Sequence, residues 1–218
     1  MRILHSKKLI FVSKPRCGST SIRRLLDSKM KEGDEYSDFG NENPRLHPHM
    51  SLPSIFEYIT DTKGDCSDYQ AFIFTRNPIE MLWSYYKYFK PDSNFRYNYN
   101  KNHNPTVLSS YNDWLLDGKV GIGEWGKLCP SFISNTDFTP LSLEAHICDK
   151  DNNKADVQVF QLEALNRCSE WLSEIFNEKL EISELNKSEK SLIPPIEEDA
   201  LARIVKCFPS ESELYKLI

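Results

Sequence analysis

A short apolar, β-branched run, Leu9-Ile10-Phe11-Val12, stops at Ser13-Lys14-Pro15, and this break constrains the chain more than any other feature. Proline cannot donate to a ladder, so a buried strand from Leu9 to Ser13 has to end there. Arg16-Cys17-Gly18-Ser19-Thr20-Ser21 then turns the chain into a segment where Ile22, Leu25 and Leu26 recur at helical spacing. The unit reads strand, loop, helix. The same order returns at Ala71-Phe72-Ile73-Phe74-Thr75, a buried-strand pattern followed by Arg76-Asn77-Pro78. Pro78 suits a first helical turn, where its missing N–H would have no partner anyway, and Met81, Leu82, Tyr85, Tyr86 and Phe89 give that helix an apolar face.

The rest of the chain keeps this rhythm in part. A helix is expected from about Pro53 to Ile59, and a strand within Ala155 to Gln161. A helix carrying Leu165, Trp171, Leu172, Ile175 and Phe176 follows, and one or two amphipathic helices lie between Ile196 and Ile218. Strands alternating with helices predict an α/β fold with a central, mainly parallel sheet flanked by helices. Residues 91 to 135 do not fit: Phe95-Arg96-Tyr97-Asn98-Tyr99-Asn100 belongs to an Asn- and Tyr-rich stretch with neither period. A loop of that length is commonly functional, and its rings, amides and cation suit a sugar. A mobile surface loop accounts for the stretch equally well.

Composition sets outer limits. At 218 residues with 39% hydrophobic, the chain is expected to form a single domain over residues 1–218 whose core needs no disulfide or structural metal. A mean hydropathy of -0.53 and the absence of a long apolar run predict no membrane span. A net charge of -5 with a pI near 5.6 argues against a sequence-independent grip on nucleic acid or an anionic membrane. Six cysteines without a CxxC pair read as reduced thiols, and the first apolar run is too short for a leader, so a soluble, cytoplasmic protein is expected.

Two loops carry the chemistry. A loop that leaves a parallel strand and opens a helix presents unpaired backbone N–H groups and the positive end of the helix dipole, which together suit an anion. In Lys14 to Ser21, Gly18 allows close approach, Ser19 and Thr20 offer hydroxyls, and Arg16 offers a bidentate cation. The bland alternative is an ordinary turn with Ser19 as N-cap. The triphosphate loop GxxxxGK[ST] does not fit, because no Gly opens the loop and no Lys precedes Ser19 or Thr20. The second loop has Arg76 followed by Ser84. The serine lies six positions past Pro78, about 9 Å along a helix, where a guanidinium laid back along the axis can meet it at one phosphate. In isolation, an Arg that caps a strand end, with a surface serine, is the better reading of that pair.

A third segment, Leu46-His47-Pro48-His49-Met50-Ser51, sets two histidines at i and i+2 before a helix. No further His/Cys cluster completes a metal site around them, so no metal is expected, and such a pair is commonly structural.

Together, strand–PRCGSTS–helix and strand–RNPxxxxxSYY–helix resemble the sulfotransferases that use 3'-phosphoadenosine 5'-phosphosulfate (PAPS), which implies a P-loop-like sulfotransferase fold. The resemblance implies that Lys14, Arg16, Cys17, Gly18, Ser19, Thr20 and Ser21 form the loop for the 5'-phosphosulfate, and that Arg76 and Ser84 hold the 3'-phosphate. Many members carry Lys where Arg16 stands; the tyrosylprotein and several bacterial sulfotransferases resemble this chain in having Arg. The HxHxS segment is similar to the base-bearing segment of heparan sulfate 2-O-sulfotransferases, which implies His49 as general base with His47 as helper or alternative. Weaker similarity to carbohydrate sulfotransferases runs from Thr139-Pro140 to Glu163, and through Leu185-Asn186-Lys187-Ser188 and Glu211-Ser212-Glu213-Leu214-Tyr215, with Glu211 for the family's Asp. The family's Gln after Pro140 is missing.

The resemblance thus implies an enzyme that moves a sulfuryl group from PAPS to a hydroxyl of a saccharide-like acceptor, with residues 91–135 contributing to the acceptor site. A small phenol or alcohol is the alternative acceptor. A non-catalytic PAP-binding module and a divergent nucleotide kinase are the competing functions.

Overall fold

The computed structural model describes residues 1–38, 43, 45–89, 110–117, 141–183 and 192–218. In chain order its elements are β1 (Arg2–Leu4), β2 (Leu9–Val12), α1 (Ser19–Asp27), β3 (Glu35–Tyr36), α2 (Leu52–Lys63), β4 (Gln70–Thr75), α3 (Pro78–Phe89), α4 (Tyr111–Asp117), α5 (Glu144–Ile147), β5 (Gln158–Gln161), α6 (Leu165–Phe176), α7 (Glu198–Cys207) and α8 (Pro209–Leu214). The chain divides into two compact units. One comprises Met1–Arg76 with His146–Glu189, the other Asn77–Ala145 with Lys190–Ile218.

The first unit is built on a five-stranded sheet in the order β3-β1-β2-β4-β5. β2, β4 and β5 are parallel, with Leu9 opposite Gln70, Val12 opposite Ile73 and Phe72 opposite Gln158. Leu9, Ile10, Phe11 and Val12 are all buried, as are Ala71 to Thr75. Parallel strands covered on both faces read as continuous apolar runs, which is why these two were visible in the sequence. Phe160 on β5 stacks its ring 5.8 Å from Phe74, and Trp171 on α6 meets Phe72 edge-on at 5.3 Å. Truncating a buried ring such as Phe72 to Ala costs about 3–5 kcal/mol.

β1 and β3 extend the sheet on the other side of β2 in antiparallel fashion. The sheet is therefore mixed, with its parallel half where the sequence placed it and an antiparallel edge added by two short strands. Arg2 on β1 is 2% exposed. Its guanidinium binds Asp27 at the end of α1 and Asp38 at 3.0 Å, and Asp38 also accepts from Arg23 of α1 at 2.7 Å. A guanidinium buried at that depth is tolerated because two carboxylates share its donors.

The second unit is helical in its described residues. Tyr111 of α4 packs edge-on to Trp83 of α3 at 4.9 Å and donates its hydroxyl to the Ile79 carbonyl at 3.0 Å. Met81, Leu82, Tyr85 and Tyr86 form the buried face of α3 as its periodicity predicts. Asn112 of α4 ties to the backbone before α7 by accepting from the Glu197 N–H and donating to the Pro195 carbonyl. The Arg203 guanidinium of α7 reaches the Leu116 carbonyl. The C-terminal region resolves into the two helices α7 and α8. Glu144 accepts the Ser210 N–H at 3.0 Å, placing a carboxylate at the start of α8, where the helix dipole favours it.

Candidate functional site

Two loops leave the carboxyl ends of neighbouring parallel strands, β2 and β4, the edge of an open α/β sheet where ligands are bound. After β2 the backbone makes two left-handed residues on either side of Cys17: Arg16 with φ 61° and Gly18 with φ 70°. For Gly18 this costs little; for Arg16 it stores about 1–2 kcal/mol, a cost found where loops serve ligands. Any Cβ at Gly18 would run into the Leu162 side chain, which follows β5. The left-handed φ favours glycine there, and a Cβ would also displace the tip of the Leu162 side chain.

Gly18, rather than Ser19, is the N-cap of α1, and among the described residues no side chain caps this helix. Ser19 is its first helical residue. The reading of the loop as an ordinary serine-capped turn is therefore corrected: the chain turns on glycine, and the serine hydroxyl does not close the helix end. Ser19 is half-buried, Thr20 exposed and Ser21 buried, with the Ser21 N–H on the Gly18 carbonyl at 3.1 Å. Lys14 is almost fully buried, its ammonium 3.7 Å from the Cys17 sulfur. Arg16 is half-buried. Just before Lys14, the buried Ser13 hydroxyl has no hydrogen-bond partner among the described residues. An uncapped helix start, two cations, an orphaned hydroxyl and a loop sequence free of carboxylates make a donor set that fits an oxyanion such as the phosphosulfate of PAPS.

The histidines sit beside this loop. His49 Nδ1 is 2.6 Å from the Ser13 carbonyl oxygen. A carbonyl can only accept, so Nδ1 carries the proton and Nε2 of the neutral ring keeps its lone pair. Burial, followed by the nearby Met1 amine, His47 and Arg23, outweighs the Ser13 contact and lowers His49 to about 4. The ring is neutral at physiological pH. His47 is exposed; its Nδ1 accepts the His49 backbone N–H at 3.1 Å, and its ring lies 6.0 Å from that of His49. Burial and the Met1 amine lower His47 as well. Pro48, between the two, is held by the Met1 amine, which donates to its carbonyl at 2.8 Å.

The second loop is made differently. Pro78 opens α3, and Asn77 accepts the backbone N–H of Ile79 at 3.0 Å and of Glu80 at 3.4 Å, closing the helix end with its own side chain. Arg76 is half-buried and closes the first unit; Ser84 is buried on α3 in the second.

The chain is similar in structure to mouse sulfotransferase SULT7A1, solved in complex with PAP. The identity is 12% and the TM-score 0.36, over 98% of this chain and 83% of that one. No protein family and no curated protein matches the sequence. The functional reading therefore stands on the loops and the histidines themselves.

Of the residues singled out from the sequence, the first unit contains Lys14 to Ser21, His47, His49 and Arg76. Phe95 to Asn100, Thr139-Pro140 and Leu185 to Ser188 lie outside the described residues, as does most of 91–135. Two participants were missed. The Ser13 carbonyl orients His49 across 36 positions of sequence, and Leu162 braces Gly18. Nothing local announces either, although Ser13 adjoins a lysine already singled out. Among the described residues no helix is long and apolar enough to cross a membrane, and Cys17, Cys66, Cys148, Cys168 and Cys207 are free thiols.

Proposed function

We propose that this chain is a PAPS-dependent sulfotransferase acting on a hydroxyl of a carbohydrate or glycoconjugate, with residues 1–218 as one catalytic domain, cytoplasmic in location. The observation that supports it best is the side-chain-free start of α1, next to Lys14 and Arg16, with a neutral histidine held on the carbonyl that precedes them. PAPS, when bound, supplies the sulfuryl group and a phosphate leaving group. Arg16, Lys14 and the Ser19 and Thr20 groups at the start of α1 bind the 5'-oxyanions and stabilise the charge that builds on departure. Arg76 and Ser84 hold the 3'-phosphate, which separates PAPS from ATP. His49 Nε2 takes the proton of the acceptor hydroxyl, with His47 as its neighbour and alternative. The likeness to the heparan sulfate 2-O type is part of this proposal, and so is an acceptor surface formed by residues 91–135.

Thermal melting with PAP, AMP and ATP at equal concentration tests the cofactor. At about 100 times its dissociation constant a ligand adds roughly 2.7 kcal/mol, which for a chain of this length raises the midpoint by about 5–10 °C. A shift with PAP and none with AMP or ATP is expected. A shift with ATP alone, or with no nucleotide, overturns the reading. Transfer from labelled PAPS to a saccharide panel then tests the acceptor, and His49→Ala is expected to abolish transfer while PAP still binds.

A further inference from the structure

Lys14 and Cys17 put an amine and a thiol in contact inside the loop. Each residue is only 1% exposed, and Nζ lies 3.7 Å from Sγ. An ammonium taken out of water needs a nearby countercharge, and a thiol beside an ammonium and a helix N-terminus gives up its proton more readily. The nitrogen and the sulfur face each other, held by the left-handed residues Arg16 and Gly18 that flank Cys17. The thiols at Cys168 and Cys207 are in a different position: burial pushes both up, which leaves them poorer nucleophiles.

We propose that Lys14 and Cys17 form a redox modification site, in which dioxygen converts the pair to a covalent Nζ–O–Sγ bridge. The step balances: one amine, one thiol and one dioxygen give the N–O–S link and one water. The O–O bond, one N–H bond and the S–H bond break, and N–O and O–S bonds form. Nitrogen and sulfur each give up two electrons, dioxygen takes four, and the second oxygen leaves as water with the two protons. Two equivalents of a dithiol reverse it, returning amine, thiol and water. One bridging oxygen spans the gap after a small side-chain shift.

The consequence for activity rests on the reading of this loop as the phosphosulfate site. The bridge removes the Lys14 charge and ties residue 14 to residue 17, so the oxidised protein is expected to lose PAP binding. The test uses the full chain, reduced with dithiothreitol and then held in air-saturated or oxygen-free buffer. Peptide mapping is expected to find a cross-linked species containing Lys14 and Cys17 that has gained one oxygen and lost two hydrogens. It should form only with oxygen, reverse with dithiothreitol, and be missing in Cys17→Ser and in Lys14→Arg. Oxygen added to Cys17 alone, no mass change, or the same change in Lys14→Arg overturns the bridge; the wild-type map decides this even if a variant fails to fold. PAP melting of the two forms tests the consequence. A midpoint shift in the reduced form and none in the bridged form supports the switch, and equal shifts overturn it. A bridge that forms in a protein whose reduced state ignores PAP leaves the cross-link standing and removes the proposed function instead.

Discussion

The loops after β2 and β4 leave neighbouring strands in parallel register, yet they start their helices in opposite ways. α3 is closed by Asn77, which accepts two of its first N–H groups, and by Pro78, which has none to offer. α1 starts on a left-handed glycine with no side-chain cap, after an arginine held in the same left-handed region. A helix end that satisfies itself has little left for a ligand, so the second loop has only its cation, Arg76, to give. A helix end left open presents backbone donors and dipole together. The same strand–loop–helix order thus ends in two kinds of helix start, and the cap residue decides how many backbone donors are left over.

The largest effect that sharpens this contrast is catalytic. Arg16→Ala is expected to lower kcat by about 100- to 1,000-fold, as loss of a group that meets developing charge does. Arg76→Ala is expected to raise the KM for PAPS roughly tenfold with a much smaller change in kcat, since an Arg on a non-reacting phosphate supplies uniform binding. Equal kcat losses from both would break the distinction. Arg16→Gly separates charge from backbone: it should lose the same activity while stabilising the fold by up to about 1 kcal/mol, because the left-handed strain is gone.

Next in size is Gly18→Ala, which meets both an unfavourable φ and the Leu162 side chain. A loss of about 2 kcal/mol is expected, a fall in Tm of roughly 4–8 °C for a chain of this length. An unchanged Tm would mean that the loop does not need its left-handed turn. The caps give a smaller and more direct comparison. Asn77→Ala should cost about 1 kcal/mol, whereas Ser19→Ala should change stability by less than about 0.5 kcal/mol, because Ser19 caps nothing. Matching losses in thermal melts would erase the asymmetry between the loops.

A separate effect lies in pH. His49 is held near 4, below its unfolded value of about 6.5, so folding favours the neutral ring. The unfolded chain binds the proton first, and stability contributed by this group is complete above pH 6.5 and is lost as pH falls toward 4. His49→Gln should flatten that part of the stability profile relative to wild type. By the same reasoning the acid limb of kcat/KM should fall near pH 4, and a limb near 6.5 would remove His49 as the base.

What the sequence made legible follows from how locally each feature is encoded. β2 and β4 could be read because both faces of each strand are covered, so Leu9 to Val12 and Ala71 to Phe74 form unbroken apolar runs. Pro78 could be read as a helix start because its chemistry permits little else. β1 and β3 could not, since three and two residues give no period and β1 opens with an arginine that reads as surface. Arg2 is inside only because Asp27 and Asp38, far along the chain, come to meet it. Whether Ser19 capped α1 was open in the sequence for a related reason: a serine after glycine has cap chemistry, and only the left-handed turn at Gly18 makes the glycine the cap. His49 was a candidate by pattern, but its tautomer depends on a carbonyl that only folding brings near.

Arg2 also bears on how this loop can change over time. Its ties to Asp27 and Asp38, and the tie of Asp38 to Arg23, fasten the body and far end of α1 to the edge of the sheet. The helix is thus moored from behind by ion pairs in which residues 14 to 20 take no part. Gly18 is fixed by its left-handed turn, but the side chains at 16, 19 and 20 can change without breaking those pairs, so the front of the helix can drift while its rear stays put.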